Sequence, residues 1–300
     1  MVVLAYNHEK FLSQTLDGIL AQEVDFSYEI VVGEDCSTDQ TRRLVQAYEQ
    51  RYPAVFNPIY HPHNVGMGAN FKACLEACRG QYIALVEGDD YWTNPRKLRK
   101  QVAWLDEHPD FSLCFHPMSN HYEDGSRPDH VPREYLKDTY PFDDFLAANE
   151  SIASTASLVL RNGLLAWPDW LFTVAPIDYP LVVLYAELGK VKLLPEVMGA
   201  YRVHPGGIWS SAQAHVNIKS WVLMSEQLWR HYAHTRHDAQ LHRKLYDLYL
   251  GLANEYANLG RTADAVRFIR KAVRFGSGPK NNGLAGLLGA GLRLARGLTR

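Results

Sequence analysis

The 300-residue chain has only four cysteines, Cys36, Cys74, Cys78 and Cys114. None stands in the paired spacing of a zinc site. Cys74 and Cys78 lie i, i+4 on one apolar helical face, and the other two fall in or beside strand-like segments. The pattern predicts buried free thiols in a reducing compartment, not a disulfide framework. Long apolar runs are also missing. No stretch reaches the ~20 residues needed to span a bilayer, and no signal peptide is recognisable. The first residues, Met1 to Ala5, already read as a strand, so a natural start a few residues upstream is expected. Excess positive charge is absent too. Lys and Arg number 31 against 33 Asp and Glu, a net of -2, which excludes a nucleic-acid footprint over the whole molecule. The balance is uneven, since nine basic residues face one acid, Asp264, from Arg261 onward. At 47% hydrophobic and 12% aromatic, the chain has ample material for one large domain or for one domain with an appendage.

What is present is a strong central signal. Tyr82-Ile83-Ala84-Leu85-Val86 is an apolar run that ends abruptly in Glu87-Gly88-Asp89-Asp90-Tyr91-Trp92. A buried strand between helical patterns belongs to a parallel sheet, and carboxylates at its C-terminal end face the place where open α/β sheets bind ligands. Glu87 and Asp89 flank a small residue. Hard oxygen ligands with room for substrate phosphates suit Mg²⁺ or Mn²⁺. The same residues also fit a plain acidic turn capping the next helix.

Upstream, Val2 to Ala5 is a strand followed by the polar turn Tyr6-Asn7-His8 and helical spacing from Glu9 to Gln22. Tyr28 to Gly33 is a second strand that runs into Glu34-Asp35-Cys36-Ser37-Thr38-Asp39 and a helix over Gln40 to Arg51. Asp35, at the strand's end, suits hydrogen bonding to a base or ribose, with a local Asx turn as the bland alternative. A third strand, Phe56 to Tyr60, precedes the loop His63-Asn64-Val65-Gly66, where Asn and Gly permit close backbone approach to a ligand. A basic helix from Pro95 to Glu107, a strand from Phe111 to His116 and a turn-rich stretch from His121 to Asp144 follow the acidic run.

The order Tyr6-Asn7, Glu34 to Asp39, Asn64-Val65-Gly66 and Glu87-Gly88-Asp89-Asp90 resembles the nucleotide-sugar-binding half of the family 2 glycosyltransferases, over about residues 1 to 210. The resemblance implies an α/β fold of the GT-A type, a Rossmann-like mixed sheet between helices, and a divalent metal, Mg²⁺ or Mn²⁺, holding the donor diphosphate. By the same resemblance Asp35 contacts a uridine-type base, so a UDP-sugar is the favoured donor. Tyr6, Asn7, Asn64 and Gly66 complete the nucleotide-binding side. The Asp-x-Asp metal motif maps onto Glu87-Gly88-Asp89; Glu replaces the first Asp and shifts its oxygens by one methylene.

In the second half, Ser154 to Arg161 reads as a strand, and Pro176-Ile177-Asp178-Tyr179 opens a helix ending near Gly189. A carboxylate there is expected as a cap or dipole partner. The resemblance implies more, namely that Asp178 is the catalytic base; Ile177 stands where a preceding acid is often found. Tyr201-Arg202-Val203-His204 resembles the family's Tyr-Arg-x-His element, which implies that His204 completes the metal or diphosphate site and that Arg202 supports it. Gly206-Gly207 beside Trp209 suits a closing loop. Together these readings predict a catalytic domain over 1–211 and a helical region over 212–300.

Within that region, helices are expected over Ile218 to Tyr232, Gln240 to Leu259 and Thr262 to Phe275, the last two resembling a tetratricopeptide-type hairpin. The basic, Leu-rich stretch 283–300 suits either a frayed tail or contact with an anionic membrane surface. The expected function is an inverting hexosyl transfer from a nucleoside-diphosphate sugar to a hydroxyl of a glycan or lipid-linked acceptor in surface polysaccharide synthesis. A cytoplasmic location, or one peripheral to the membrane's inner face, accompanies it. A catalytically inactive binding scaffold is the alternative from another class. A nucleotidyltransferase would need a Gly-rich, basic loop after the first strand, and Tyr6-Asn7-His8-Glu9 lacks that character.

Overall fold

The valine and isoleucine runs of the N-terminal half form strands that are largely buried, as strands covered on both faces must be, whereas the edge strand Phe56–Tyr60 is buried only at Phe56. These are β1 (Val2–Ala5), β2 (Ile30–Glu34), β3 (Phe56–Tyr60) and β4 (Tyr82–Glu87). The computed structural model describes residues 1–148 and 150–276. Helices α1 (Leu12–Leu20), α2 (Thr41–Arg51) and α3 (Met67–Ala77) alternate with the strands. β1 pairs in parallel with β2 and with β4, and β2 with β3. The C-terminal ends of all four therefore lie along one edge of the sheet.

After β4 the chain forms the short β5 (Tyr91–Trp92), then α4 (Lys97–Glu107), β6 (Phe111–Phe115) and β7 (Met118–Tyr122). The turn-rich stretch expected up to Asp144 contains β8 (Thr139–Tyr140) and the start of α5 (Phe142–Ala147). Where a strand is expected from Ser154, the structure has a 3₁₀ turn over Thr155–Ser157 and a shorter β9 (Val159–Arg161). Ser157 turns back there to bond the Ser154 carbonyl through both N–H and Oγ, and the Trp92 indole N–H bonds the Ala156 carbonyl at 2.8 Å. Helix α6 (Asp178–Leu188) and strands β10 (Lys190–Leu193) and β11 (Gly199–Val203) complete this unit. The main sheet runs β3-β2-β1-β4-β9-β6-β10-β8, with β9 antiparallel to both β4 and β6. A small second sheet, β5-β11-β7, lies at the end of the acidic run.

The chain divides into two compact units, Met1–Thr173 with Ile177–Pro205, and Val174–Pro176 with the described residues from Gly206 onward. In the second, α7 (Ala214–His231), α8 (Asp238–Asn258) and α9 (Thr262–Phe275) share a core of Leu245, Tyr249, Leu252, Tyr256, Ala265 and Phe268. Gly260 adopts φ 72° at the α8–α9 turn, a conformation that costs glycine little. The stretch 283–300 lies outside the described residues. Among the described residues no helix is long and apolar enough to cross a membrane.

Candidate active site

The parallel register decides what meets at the sheet edge. β1 neighbours both β2 and β4, with Leu4 opposite Gly33 and Glu87. The loops after these strands are therefore side by side, and they are stitched together by side-chain to backbone bonds. Asn7 sits at φ 57°, a region Asn tolerates better than most residues. Its Oδ1 accepts from the Thr38 N–H at 2.8 Å, while its own N–H donates to Ser37 Oγ at 3.0 Å. Asp39 accepts from the Glu9 N–H, and Glu9 in return accepts from the Gln40 N–H. Tyr6, 41% exposed, stands at the rim.

Asp35 is buried, and its two oxygens accept from the N–H groups of Val65 at 2.7 Å and Gly66 at 2.9 Å. Asn64 Oδ1 accepts from the same Gly66 N–H at 3.1 Å, and Gly66 has φ 85°. Two motifs that are separate in sequence thus form one element, a carboxylate holding the Asn64–Gly66 loop against the end of β2. Each oxygen keeps a lone pair for a further donor.

At the end of β4, Asp89 and Glu87 part company. Asp89 Oδ2 lies 3.1 Å from His204 Nε2 and 3.7 Å from His8 Nε2. Burial acts to raise the Asp89 carboxyl, but the His204 bond and the facing His8 outweigh it and hold the group below the ordinary aspartate range. Glu87 instead bonds Thr155, and burial, with the charges of Asp89 and Asp178 nearby, pushes it up to about 8. Its buried Oε2 has no hydrogen-bond partner. Glu87 thus bonds Thr155 and feels the charges of both Asp89 and Asp178, that of Asp89 the more strongly.

Arg202, expected to support the metal or diphosphate site, bonds the acidic turn itself. It is buried, and its guanidinium bonds the Asp89 carbonyl, Glu123 and Gln14 while lying between the rings of Phe11 and Tyr91, 4.7 and 4.9 Å from their centroids. Its backbone N–H donates to Asp90 Oδ1 at 2.9 Å. Arg202 shapes the acidic turn from behind. Thr15 of α1 supports the same turn through the carbonyls of Gly88 and Asp90.

Asp178 opens α6, and its Oδ2 lies 2.8 Å from Ser151 Oγ. Burial raises its pKa above the usual aspartate value, with the Ser151 bond and the backbone acting the other way. Its charge also acts on Glu87 at the end of β4.

Sequence reasoning missed His8, Thr15, Gln14, Glu123 and Ser151. Only the position of His8, directly after Tyr6-Asn7, carries a signal. Among the described residues no group of three or more His, Cys, Asp or Glu is arranged to hold a metal ion. The Asp89–His204 pair is nevertheless a carboxylate and an imidazole brought together at one point, a donor set suited to Mn²⁺ or Mg²⁺ when substrate phosphates supply further oxygens.

Comparison with known proteins gives the same architecture. Residues 1–165 match the model of Glycosyl transferase family 2. The chain is 43% identical over 212 residues to the protein Rv1520 of Mycobacterium tuberculosis, covering 71% of this chain and 60% of that one, so it spans about three fifths of the length of such relatives. It resembles the structure of Staphylococcus aureus TarS 1–349 in complex with UDP-GlcNAc at a TM-score of 0.58 and 20% identity, covering 94% of both chains. It resembles mannosyltransferase PcManGT of Pyrobaculum calidifontis, in complex with GDP-Man and Mn²⁺, at 0.55 and 19%, covering 98% and 79%. On its strand order, its strand-end carboxylates and the family match over more than half its length, the chain belongs to glycosyl transferase family 2 and has the GT-A fold.

Proposed function

We propose that this chain transfers a sugar from a nucleoside-diphosphate donor to an acceptor hydroxyl with inversion at the anomeric carbon. What supports the reading is that Asp89, paired with His204, and the buried Asp178 at the start of α6 both act on Glu87 at the end of β4. Asp35, with the Asn64–Gly66 loop it holds, receives the base, and Tyr6 and Asn7 flank it. Asp89 and His204 would hold Mn²⁺ or Mg²⁺, which when bound neutralises charge on the departing diphosphate. Asp178 takes the proton of the acceptor hydroxyl as that oxygen bonds the anomeric carbon and the carbon–diphosphate bond breaks. One carboxylate suffices for such a displacement, because the leaving group needs no proton. Burial lifts the Asp178 pKa, which makes it a better proton acceptor than a solvated aspartate.

A UDP-sugar is the favoured donor, on the place of Asp35 and because the TarS structure holds UDP-GlcNAc; the GDP-Man bound by PcManGT makes GDP-sugars the control. The acceptor would be a glycan or lipid-linked glycan, reached at the inner membrane face through the basic stretch 283–300. Thermal unfolding against a panel of UDP- and GDP-sugars, with Mn²⁺ or with chelator, tests the donor site. A ligand at about 100 times its dissociation constant stabilises by about 2.7 kcal/mol. A metal-dependent shift is expected with one nucleotide, lost in Asp89→Ala and kept in Asp178→Ala, which loses transfer. Equal shifts in Asp89→Ala and the parent chain would overturn the metal assignment, and no shift with any donor would favour a binding scaffold.

A further inference from the structure

A general base must be stable both before and after it takes its proton, and the surroundings of Asp178 meet both requirements. Ser151 Oγ lies 2.8 Å from Asp178 Oδ2 and 2.9 Å from the Ala153 carbonyl oxygen. A serine hydroxyl has one proton and two lone pairs, so it cannot donate to both oxygens at once. The heavy atoms are pinned on each side. Tyr179, next to Asp178, donates its hydroxyl to the Phe145 carbonyl at 2.7 Å and approaches that of Ala148 at 3.1 Å, just upstream of Ser151. Tyr135 donates to the Ile152 carbonyl at 3.3 Å, and Ala153 is buried.

Resting on the reading of Asp178 as the base, we infer that Ser151 is its positioning residue and a hydroxyl rotor that follows the proton. While Asp178 is ionised, the Ser151 proton points to Oδ2, because a bond to a charged acceptor is the stronger of the two. When Asp178 receives the acceptor's proton on Oδ2, the oxygen that meets Ser151, its new O–H donates to Ser151 Oγ, and the serine proton swings to the Ala153 carbonyl. No atom heavier than hydrogen moves, and every donor keeps an acceptor in both states. The proton comes from the acceptor hydroxyl and rests on Asp178, and Ser151 ends with the proton it began with. The ionisable group that faces Asp178 from β4 is Glu87, and the ion pair Arg133–Glu150 adjoins Ser151 in the chain.

The test needs neither donor nor acceptor. Protein labelled with ¹³C at aspartate carboxyls is titrated by NMR, and Asp178→Asn identifies the Asp178 resonance. In Ser151→Ala the carboxylate loses its charge-assisted donor, so the midpoint is expected to rise by about one to two pH units. Ser151→Thr, which keeps the hydroxyl, is expected to restore it. Should Ser151→Ala fail to fold, Ser151→Cys, which fills the space with a poor donor, carries the same expectation. An unchanged midpoint in the Ala or Cys variant, or a Thr variant that behaves like Ala, would overturn the rotor. The base assignment fails separately, if Asp178→Asn still releases nucleoside diphosphate from UDP-GlcNAc or GDP-mannose with Mn²⁺ at the parent rate.

Discussion

Two buried cations show how differently the same charge is used. Lys97 is fully buried, its Nζ lies 4.1 Å from the centre of the Trp92 ring, and it has no hydrogen-bond partner. Burial lowers its pKa from 10.5 to about 7, with Cys114 acting weakly the other way. Between those values the unfolded chain holds a proton that the native chain does not, so stability rises with pH through that window. Below about pH 7 the folded protein must bury a charge. Lys97→Met is therefore expected to raise the melting temperature near pH 7 and to flatten its dependence on pH, as read by scanning fluorimetry across a buffer series. A variant less stable than the parent at pH 6 would mean that the contact with Trp92 outweighs desolvation. Arg202 is the opposite case, with its guanidinium bonded to Asp89, Glu123 and Gln14 between two rings. Lysine has no planar fork to replace that set. Arg202→Lys is expected to cost about 3 kcal/mol in a urea melt and to weaken metal-dependent donor binding. A loss of stability with donor affinity intact would show that Arg202 does not shape the acidic turn.

Elements whose signal is local were legible in the sequence, and elements made by distant partners were not. α9 begins and ends where its apolar spacing predicts, at Thr262 and Phe275, because that pattern is contained in the helix itself. α1 starts at Leu12, not Glu9, because the Glu9 N–H and carboxylate are drawn to Asp39 and Gln40 across the loop. The turn at Thr155–Ser157 depends on Trp92, a residue far away in the chain, so its small polar residues read as strand. Close approach between elements is equally hidden. A Cβ on Gly68 would lie 1.8 Å from the Phe172 carbonyl oxygen, where α3 meets the 3₁₀ segment Asp169–Thr173. Phe71 and Phe172 meet edge to face there at 6.3 Å. Gly68→Ala is expected to displace that segment and to lower stability by about 1–3 kcal/mol. A urea midpoint equal to the parent's would mean that the two backbones can separate without cost.

At the scale of the whole molecule, the sheet order does what no stretch of sequence reveals. It sets the turn after β1 beside the end of β4, which is why His8 faces Asp89 although nothing in their spacing pairs them. The Asp35 and Asn64–Gly66 motifs were legible separately, and only the fold makes them one structure. For the cysteines the expected burial holds at Cys74 and Cys114, while Cys36 and Cys78 are half-buried. All four are free. Cys74 and Cys114 are buried, and burial pushes their thiols up to about 12; Cys78 is pushed to about 11. Since the thiolate is the reactive form, these three are expected to resist alkylation by iodoacetamide at pH 8 in the folded protein and to react fully in denaturant, as counted by intact mass. Adding a reductant is expected to leave the melting temperature unchanged, because no covalent cross-link holds the fold. A melting temperature that falls with reductant would mean that two of these thiols pair in solution, and rapid labelling of Cys114 would mean that the packing of α4 on β6 opens on the timescale of the reaction.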